Sequence, residues 1–197
     1  MTMHKGMREY IEGVYGTRRD MLSLLFNQAR YHLGFFSRFE QINWHAVRRL
    51  VFICKGNICR SPYAHVLAAG LGLRAISFGL GARTGDTANP DAQRIAIKRG
   101  VDLSRHRATR MEPGLLESGD LIVGMEPSHL VHAEGLIGLK REDIQITLMG
   151  IWSGFRRPYI ADPYGLNDAY FSTCFECIDS NVREMSARLA AQRGGRY

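Results

Sequence analysis

Short apolar runs that alternate with helical segments indicate an α/β fold. Residues 50–53 form the clearest run, with four consecutive apolar side chains, as expected for a strand buried on both faces. Similar runs cover residues 73–78, 120–125 and 144–149. Helices are predicted from Pro62 onward and over residues 90–98 and 167–193. This alternation predicts a three-layer fold, with a four-stranded, mostly parallel twisted sheet and helices on both faces.

An N-terminal extension of residues 1–46 precedes this alternation and is predicted to be helical. Residues 18–33 have apolar side chains at helical spacing, with Thr17 as a possible N-cap and Gly34 as a stop. Aromatic residues follow this segment, at Phe35, Phe36, Phe39 and Trp44. They can pack against the main domain, form a homodimer contact or lie on a membrane surface. Acidic residues on the polar face favour a homodimer over membrane association.

After this extension, residues 47–193 are predicted to form the catalytic domain and residues 194–197 a frayed tail. The chain has 197 residues, is 45% hydrophobic and carries a net charge of +7. This charge indicates an anionic partner, and alone it leaves nucleic acid, membrane and phosphoprotein open. With only four cysteines, no secretory signal and no apolar stretch near the roughly 20 residues of a membrane span, we expect a cytoplasmic protein.

The loop between the first strand and the next helix carries the candidate chemistry. It begins at Cys54, and Arg60 stands six residues later, just before the helix-opening Pro62. Backbone amides of such a loop point inward, and the helix dipole adds positive potential, so the loop is suited to bind an anion. These surroundings stabilise a thiolate, and an arginine offers a planar fork for phosphate oxygens.

The Cys-Lys-Gly-Asn-Ile-Cys-Arg-Ser-Pro run of residues 54–62 resembles the active-site loop of the low-molecular-weight protein tyrosine phosphatases. The resemblance implies that Cys54 is the nucleophile and that Arg60 binds the phosphate and its transition state. Ser61 would donate a hydrogen bond to the thiolate, and Cys59 matches the family cysteine that can pair with the nucleophile on oxidation. The residues implied in phosphate binding are Lys55, Gly56, Asn57, Ile58, Cys59, Arg60 and Ser61.

Two later segments also resemble this family. Asp162, in an Asp-Pro-Tyr turn, matches the general acid that protonates the leaving oxygen, and Tyr164 is expected to line the pocket. His106 matches a histidine that hydrogen-bonds behind the loop, near Ser61 or Ser77.

The sequence also departs from the family pattern. Residues 79–90 contain no aromatic side chain to stack on a phosphotyrosine ring, and Arg83 is predicted to line the pocket instead and to favour an acidic substrate flank. A solvated Arg83 is an equally open interpretation. Glu126 stands where the family has an aspartate.

The resemblance implies a protein tyrosine phosphatase that forms a cysteinyl-phosphate intermediate and needs no metal and no cofactor. The expected partner is a phosphotyrosine protein rather than nucleic acid, and in bacteria the resemblance implies a tyrosine kinase of polysaccharide export. One alternative is a thiol-dependent arsenate reductase, which would pass electrons through Cys59, Cys174 and Cys177. The other is a phosphoprotein-binding module without turnover.

Overall fold

A computed structural model of the chain describes residues 2–138 and 141–194. The strands are β1 (Arg49–Cys54), β2 (Ala75–Gly79), β3 (Asp120–Gly124) and β4 (Gln145–Leu148). The α-helices are α1 (Thr2–Tyr15), α2 (Arg18–His32), α3 (Arg60–Gly70), α4 (Pro90–Ile97), α5 (Pro127–Ile137) and α6 (Asp168–Gly194). Short 3₁₀ helices cover Ser37–Phe39, Trp44–Ala46, Pro113–Leu115 and Met149–Ile151.

The four strands form a parallel sheet in the order β2-β1-β3-β4, and the predicted fold class is confirmed. Leu50 and Phe52 of β1 belong to the larger core, whereas Val51 and Ile53 belong to the core on the opposite face. This division follows from the alternation of side chains along a strand. Since β1 is central and its six residues are all buried, the loop after Cys54 begins from a rigid support.

Helices cover both faces of this sheet. On one face α3 packs against β1, β2 and α6, while α5 packs against β3 and β4 on the other. The ring of Tyr63 in α3 stacks on Phe175 in α6, with centroids 3.8 Å apart and planes at 3°. Helix α5 was not predicted from the sequence, because its short apolar segment lacks a clear helical stripe.

The N-terminal extension is held against this sheet domain. Helix α2 begins after Thr17, whose hydroxyl accepts a hydrogen bond from the Asp20 amide at 3.1 Å. Phe36 and Phe39 are buried in the larger core. Trp44 contacts Trp152 edge to face at 4.9 Å. Part of the aromatic segment therefore packs on the domain, which was one of the three predicted roles.

The homodimer and membrane roles of the extension stay predictions. None of the helices over residues 2–138 and 141–194 has the length and apolar character needed to cross a bilayer. Of the predicted frayed tail, residues 195–197 lie outside the described residues, and α6 ends at Gly194.

Candidate active site

The loop between β1 and α3 gathers its polar groups around the sulfur of Cys54. Cys54 ends β1 and Arg60 begins α3, so the loop lies at the carboxyl end of a central strand. The Cys54 Sγ atom is 3.0 Å from Ser61 Oγ and accepts a hydrogen bond from the Asn57 amide at 3.3 Å. Two donors thus lie within reach of a thiolate at this position.

Asn57 ties the loop to the rest of the domain. Its side chain is fully buried and its φ is 55°, a left-handed conformation that asparagine tolerates better than most residues. The Asn57 amide nitrogen Nδ2 donates to Ser61 Oγ and to Ser77 Oγ, both at 2.9 Å. Its Oδ1 accepts from the Thr109 amide at 2.9 Å. One side chain therefore joins the loop to β2 and to the segment after His106.

His106 supports the loop through the backbone of Asn57. Its Nε2 lies 2.7 Å from the Asn57 carbonyl oxygen, whereas the resemblance placed it near Ser61 or Ser77. Burial lowers the pKa of His106, and the hydrogen bond to Asn57 opposes this shift. The ring is therefore neutral at physiological pH, and Nε2–H donates to the carbonyl.

Arg60 is buried and bridges the loop to two acidic residues. Its guanidinium donates to Glu126 Oε1 at 2.5 Å and to the Ile160 carbonyl at 2.8 Å, and it pairs with Asp162 Oδ2 at 2.9 Å. Burial alone would lower the pKa of Arg60, but the charges of Asp162, Cys54 and Glu126 raise it above its ordinary value. The Arg60 Nε atom finds no partner among the described residues. The side chain is thus a permanent cation with a donor left for an anion.

Glu126 and His129 take part in this arrangement beyond what the sequence suggested. Glu126 fills the position of the expected aspartate and binds Arg60 directly. His129 is buried with Nε2 3.7 Å from Glu126 Oε1. Burial, then the charge of Arg60, lowers the pKa of His129 to about 3, so this ring is neutral. The three-residue spacing of the two side chains across a helix-opening proline is the signal that could have paired them.

The two predicted pocket-wall residues are both exposed. The Arg83 side chain is 88% exposed, and its Nε lies 3.5 Å from Asp86 Oδ1. Tyr164 is 63% exposed, and its amide donates to Asp162 Oδ1 at 3.4 Å. Neither residue is among those that line the cleft described below.

The remaining cysteines are free thiols in apolar surroundings. Cys59 and Cys174 are buried, and burial raises the pKa of each thiol far above its ordinary value. Burial also raises the pKa of Cys177 to about 11, against the opposing charge of Arg157. Thiols with such pKa values are poor nucleophiles at neutral pH. Within residues 2–138 and 141–194, no three His, Cys, Asp or Glu side chains cluster as a metal site requires.

A cleft of about 780 Å³ opens beside the loop. Its lining contains Lys55 of the loop and Asp162, together with Glu126 and His129. The N-cap and first part of α2 also line it, through Thr17, Arg19, Asp20 and Ser23. The cleft is large enough for a phosphorylated side chain and neighbouring peptide residues. That the N-terminal extension forms one wall of it was not predicted from the sequence.

Residues 49–194 match the low molecular weight phosphotyrosine protein phosphatase family. The chain belongs to this family. It is therefore a cysteine-dependent phosphatase of the low molecular weight type. The matched segment contains the loop, Asp162 and all four strands, and it leaves α1 and α2 outside.

Individual relatives agree with this assignment. The probable low molecular weight protein-tyrosine-phosphatase EpsP of Ralstonia nicotianae is 30% identical over 156 residues, which cover 74% of this chain and 98% of that protein. The crystal structure of the tyrosine phosphatase Wzb from Escherichia coli K30 with sulphate is 31% identical, with a TM-score of 0.66, and covers 73% of this chain and 99% of Wzb. The YwlE arginine phosphatase from Geobacillus stearothermophilus is 18% identical with a TM-score of 0.67 over 76% of this chain and 97% of its own, and it shares the fold.

Proposed function

We propose that this protein hydrolyses phosphotyrosine in proteins through a cysteinyl phosphate formed on Cys54. The arrangement that carries the proposal is the short chain of contacts within the loop. The sulfur of Cys54 meets the Ser61 hydroxyl and the Asn57 amide, while Arg60, six residues on, is bound to Asp162. A nucleophile, an anion-binding cation and a carboxyl group are thereby assembled at one end of the sheet.

In the first step the Cys54 thiolate attacks phosphorus, and the sulfur–phosphorus bond forms as the bond to the tyrosine oxygen breaks. Asp162, in its acid form, gives its proton to the departing oxygen, because a phenol leaves more readily than a phenolate. When phosphate binds Arg60, the guanidinium no longer needs Asp162 as its counter-ion. Partial exposure of the Asp162 side chain, at 39%, lets it exchange protons with solvent.

In the second step water attacks the phosphorus of the cysteinyl phosphate, and Asp162 takes a proton from that water. The sulfur–phosphorus bond breaks, the thiolate returns and inorganic phosphate leaves. In both steps negative charge spreads over the equatorial phosphate oxygens. We assign its stabilisation to Arg60 and to the backbone amides of residues 55–61, with the Ser61 hydroxyl stabilising the sulfur.

The physiological substrate in this proposal is a phosphotyrosine protein of the cytoplasm, where a free thiol stays reduced. A bacterial tyrosine kinase of polysaccharide export is the specific candidate, since the relatives that support the assignment are Wzb and EpsP phosphatases. We assign the reaction to residues 47–193 and treat residues 1–46 as an addition to that domain.

The two alternatives from the sequence fit the arrangement less well. Arsenate reduction needs further reactive thiols, yet burial raises the pKa of Cys59, Cys174 and Cys177. A binding module without turnover would have no use for a carboxyl group beside the arginine, and Asp162 lies 2.9 Å from Arg60. The phosphatase interpretation accounts for both observations.

Replacement of the nucleophile tests the proposal. We expect Cys54→Ser to reduce turnover of p-nitrophenyl phosphate by on the order of 10⁴-fold or more, as loss of a catalytic nucleophile does in other enzymes. The same variant should retain a phosphotyrosine protein in a pull-down assay, because Arg60 and the loop amides remain. Turnover that survives Cys54→Ser would contradict the covalent step.

Cys177→Ser is the matched control. It makes the same chemical change on α6, outside the loop, and should keep the wild-type rate. A wild-type protein that binds phosphotyrosine proteins and never releases phosphate would instead support the binding module.

A further inference from the structure

The α2 side of the active-site cleft is a feature of this chain rather than of its family. The family match begins at residue 49, and 73% of this chain already covers 99% of the Wzb structure. Helix α2 nevertheless places Thr17, Arg19, Asp20 and Ser23 on the cleft that also contains Asp162. Any substrate selectivity that these four residues provide is therefore added to the catalytic chemistry that this chain shares with its family.

This wall is fixed to the domain by specific hydrogen bonds. The Tyr159 hydroxyl donates to Asp20 Oδ1 at 3.0 Å. Just before α2, Arg157 donates to the Val14 carbonyl and Thr173 donates to the Gly13 carbonyl at 2.7 Å. Because both helix α1 and the start of α2 are held in this way, the wall keeps a defined position relative to the loop.

The charged side chains along the cleft differ in the partners that they have. Each of its three carboxylates has a partner: Asp20 binds Thr17 and Tyr159, while Glu126 and Asp162 bind Arg60. The cations Arg19 and Lys55 are exposed. Among the described residues, neither of them has a carboxylate within ion-pair distance. Arg19 of the α2 wall and Lys55 of the loop are therefore exposed cations that a ligand in the cleft can meet.

We propose that Arg19 is a specificity-determining residue that binds an acidic side chain next to the phosphotyrosine of a protein substrate. The proposal rests on the phosphatase function, in which the phosphorylated residue occupies the loop beside Lys55 and Asp162. A peptide that continues from that residue along the cleft meets the α2 wall, where Arg19 offers a fork to a carboxylate. The acidic-flank preference expected for Arg83 is thus assigned to Arg19, since Arg83 lies outside the cleft lining.

Charge substitutions on α2, combined with a peptide series, test this assignment. The substrates are phosphotyrosine peptides with either glutamate or glutamine at each neighbouring position, and the measured quantity is the ratio of their kcat/KM values. Wild-type protein should prefer the best glutamate peptide by about two- to fivefold, as an exposed ion pair allows. Arg19→Ala should bring the ratio close to one, and Arg19→Glu should make the protein prefer glutamine.

Arg18→Ala is the matched control, because it removes the same charge one residue away. Arg18 lines a neighbouring cavity with Leu166 and Asn167 instead of the active-site cleft. This variant should keep the wild-type ratio, and raised salt should reduce the ratio in both proteins. A preference that is absent in the wild type, or lost equally in Arg18→Ala, overturns the role of Arg19.

A failure of the proposed phosphatase function can be distinguished from a failure of the Arg19 assignment. Wild-type turnover of p-nitrophenyl phosphate reports the phosphatase chemistry without a peptide flank. If that turnover is present and the glutamate preference is absent, the specificity assignment is wrong and the function stands. If that turnover is absent as well, the phosphatase proposal is wrong.

Discussion

The catalytic loop and the α2 wall face the same cleft and are built in opposite ways. The loop is nine contiguous residues whose key side chains are buried, with Asn57 fully inaccessible and Arg60 1% exposed. The wall is the N-cap and the beginning of α2, and Thr17 and Arg19 are exposed. The loop is held by many bonds, among them those of Asn57 to Ser61 and to Ser77 of β2, whereas the wall is bound to the domain through the Tyr159 hydroxyl.

This difference suits the loop to catalysis and the wall to substrate recognition. A charge in the buried loop acts at low local dielectric and has no water to replace a lost partner, so its loss is costly. A charge on the exposed wall is screened by solvent, and its ion pair contributes roughly 0–1 kcal/mol. We therefore expect large effects on rate from loop variants and small effects on selectivity or docking from wall variants.

Removal of the general acid should give the largest effect after loss of the nucleophile. Asp162→Asn keeps the size of the side chain and removes the proton that reaches the leaving oxygen. We expect roughly 10²–10⁴-fold slower hydrolysis of phenyl phosphate, and much less slowing of p-nitrophenyl phosphate, whose leaving group needs little protonation. Steady-state rates on a series of aryl phosphates measure the difference.

Asp168→Asn provides the control for Asp162→Asn. Asp168 is an exposed carboxylate at the start of α6 that pairs with Arg94. Its replacement should leave both rates near wild type. If Asp162→Asn slows good and poor leaving groups equally, the acid role fails and Asp162 is only a counter-ion of Arg60.

Loss of the Asn57 side chain should affect both stability and rate. Asn57→Ala removes three hydrogen bonds and leaves Ser77 and the Thr109 amide without that partner. We expect a loss of roughly 2–4 kcal/mol in the free energy of unfolding and at least about tenfold in kcat, because the loop amides lose their alignment. Urea denaturation and steady-state kinetics on one preparation give both values.

Asn181 is a matched control for Asn57. It is equally buried, and away from the loop its side chain bonds to the amides of Trp152 and Ser153 and to the carbonyl and sulfur of Cys177. Asn181→Ala should therefore destabilise the protein to a similar extent and leave kcat unchanged. Equal losses of kcat in the two variants would mean that Asn57 acts through global stability alone.

The structural features that the sequence predicts well are those that depend only on neighbouring residues. The β1 run, the helix opening at Pro62 and the left-handed tendency of Asn57 are local properties, and each appears in the structure. The start of α2 after Thr17 is likewise set by a local cap. The confirmed parallel pairing of the four strands follows from alternation and connection rules, whereas the strand order was not predicted.

Contacts between distant segments were the part that sequence patterns could not supply. Helix α2 lies at the cleft in an extension that is bound by Tyr159, Arg157 and Thr173, over separations of more than a hundred residues. The partner of His106 is a backbone carbonyl. Because every residue has such a carbonyl, the sequence does not indicate which one is bound. Loop position alone left both a pocket role and a solvated side chain open for Arg83, and its side chain is 88% exposed.

The smallest of the expected effects tests how the wall is held. Tyr159→Phe removes the hydroxyl that donates to Asp20 and keeps the packing of the ring. We expect a loss of about 1 kcal/mol in the stability of the docked extension, and about fivefold faster hydrogen exchange in α2 than in the wild type. Exchange in α6 should change less, because α6 belongs to the core of the domain.

Tyr10→Phe is the control for this measurement, since Tyr10 is an exposed tyrosine of the same extension. It should leave exchange in α2 unchanged. Faster exchange throughout the chain in Tyr159→Phe would mean that the bond stabilises the whole fold and not the wall in particular. Unchanged exchange would mean that the bonds of Arg157 and Thr173 to α1 are enough to hold α2 beside the active site. The bond from Tyr159 to Asp20 would then not be needed.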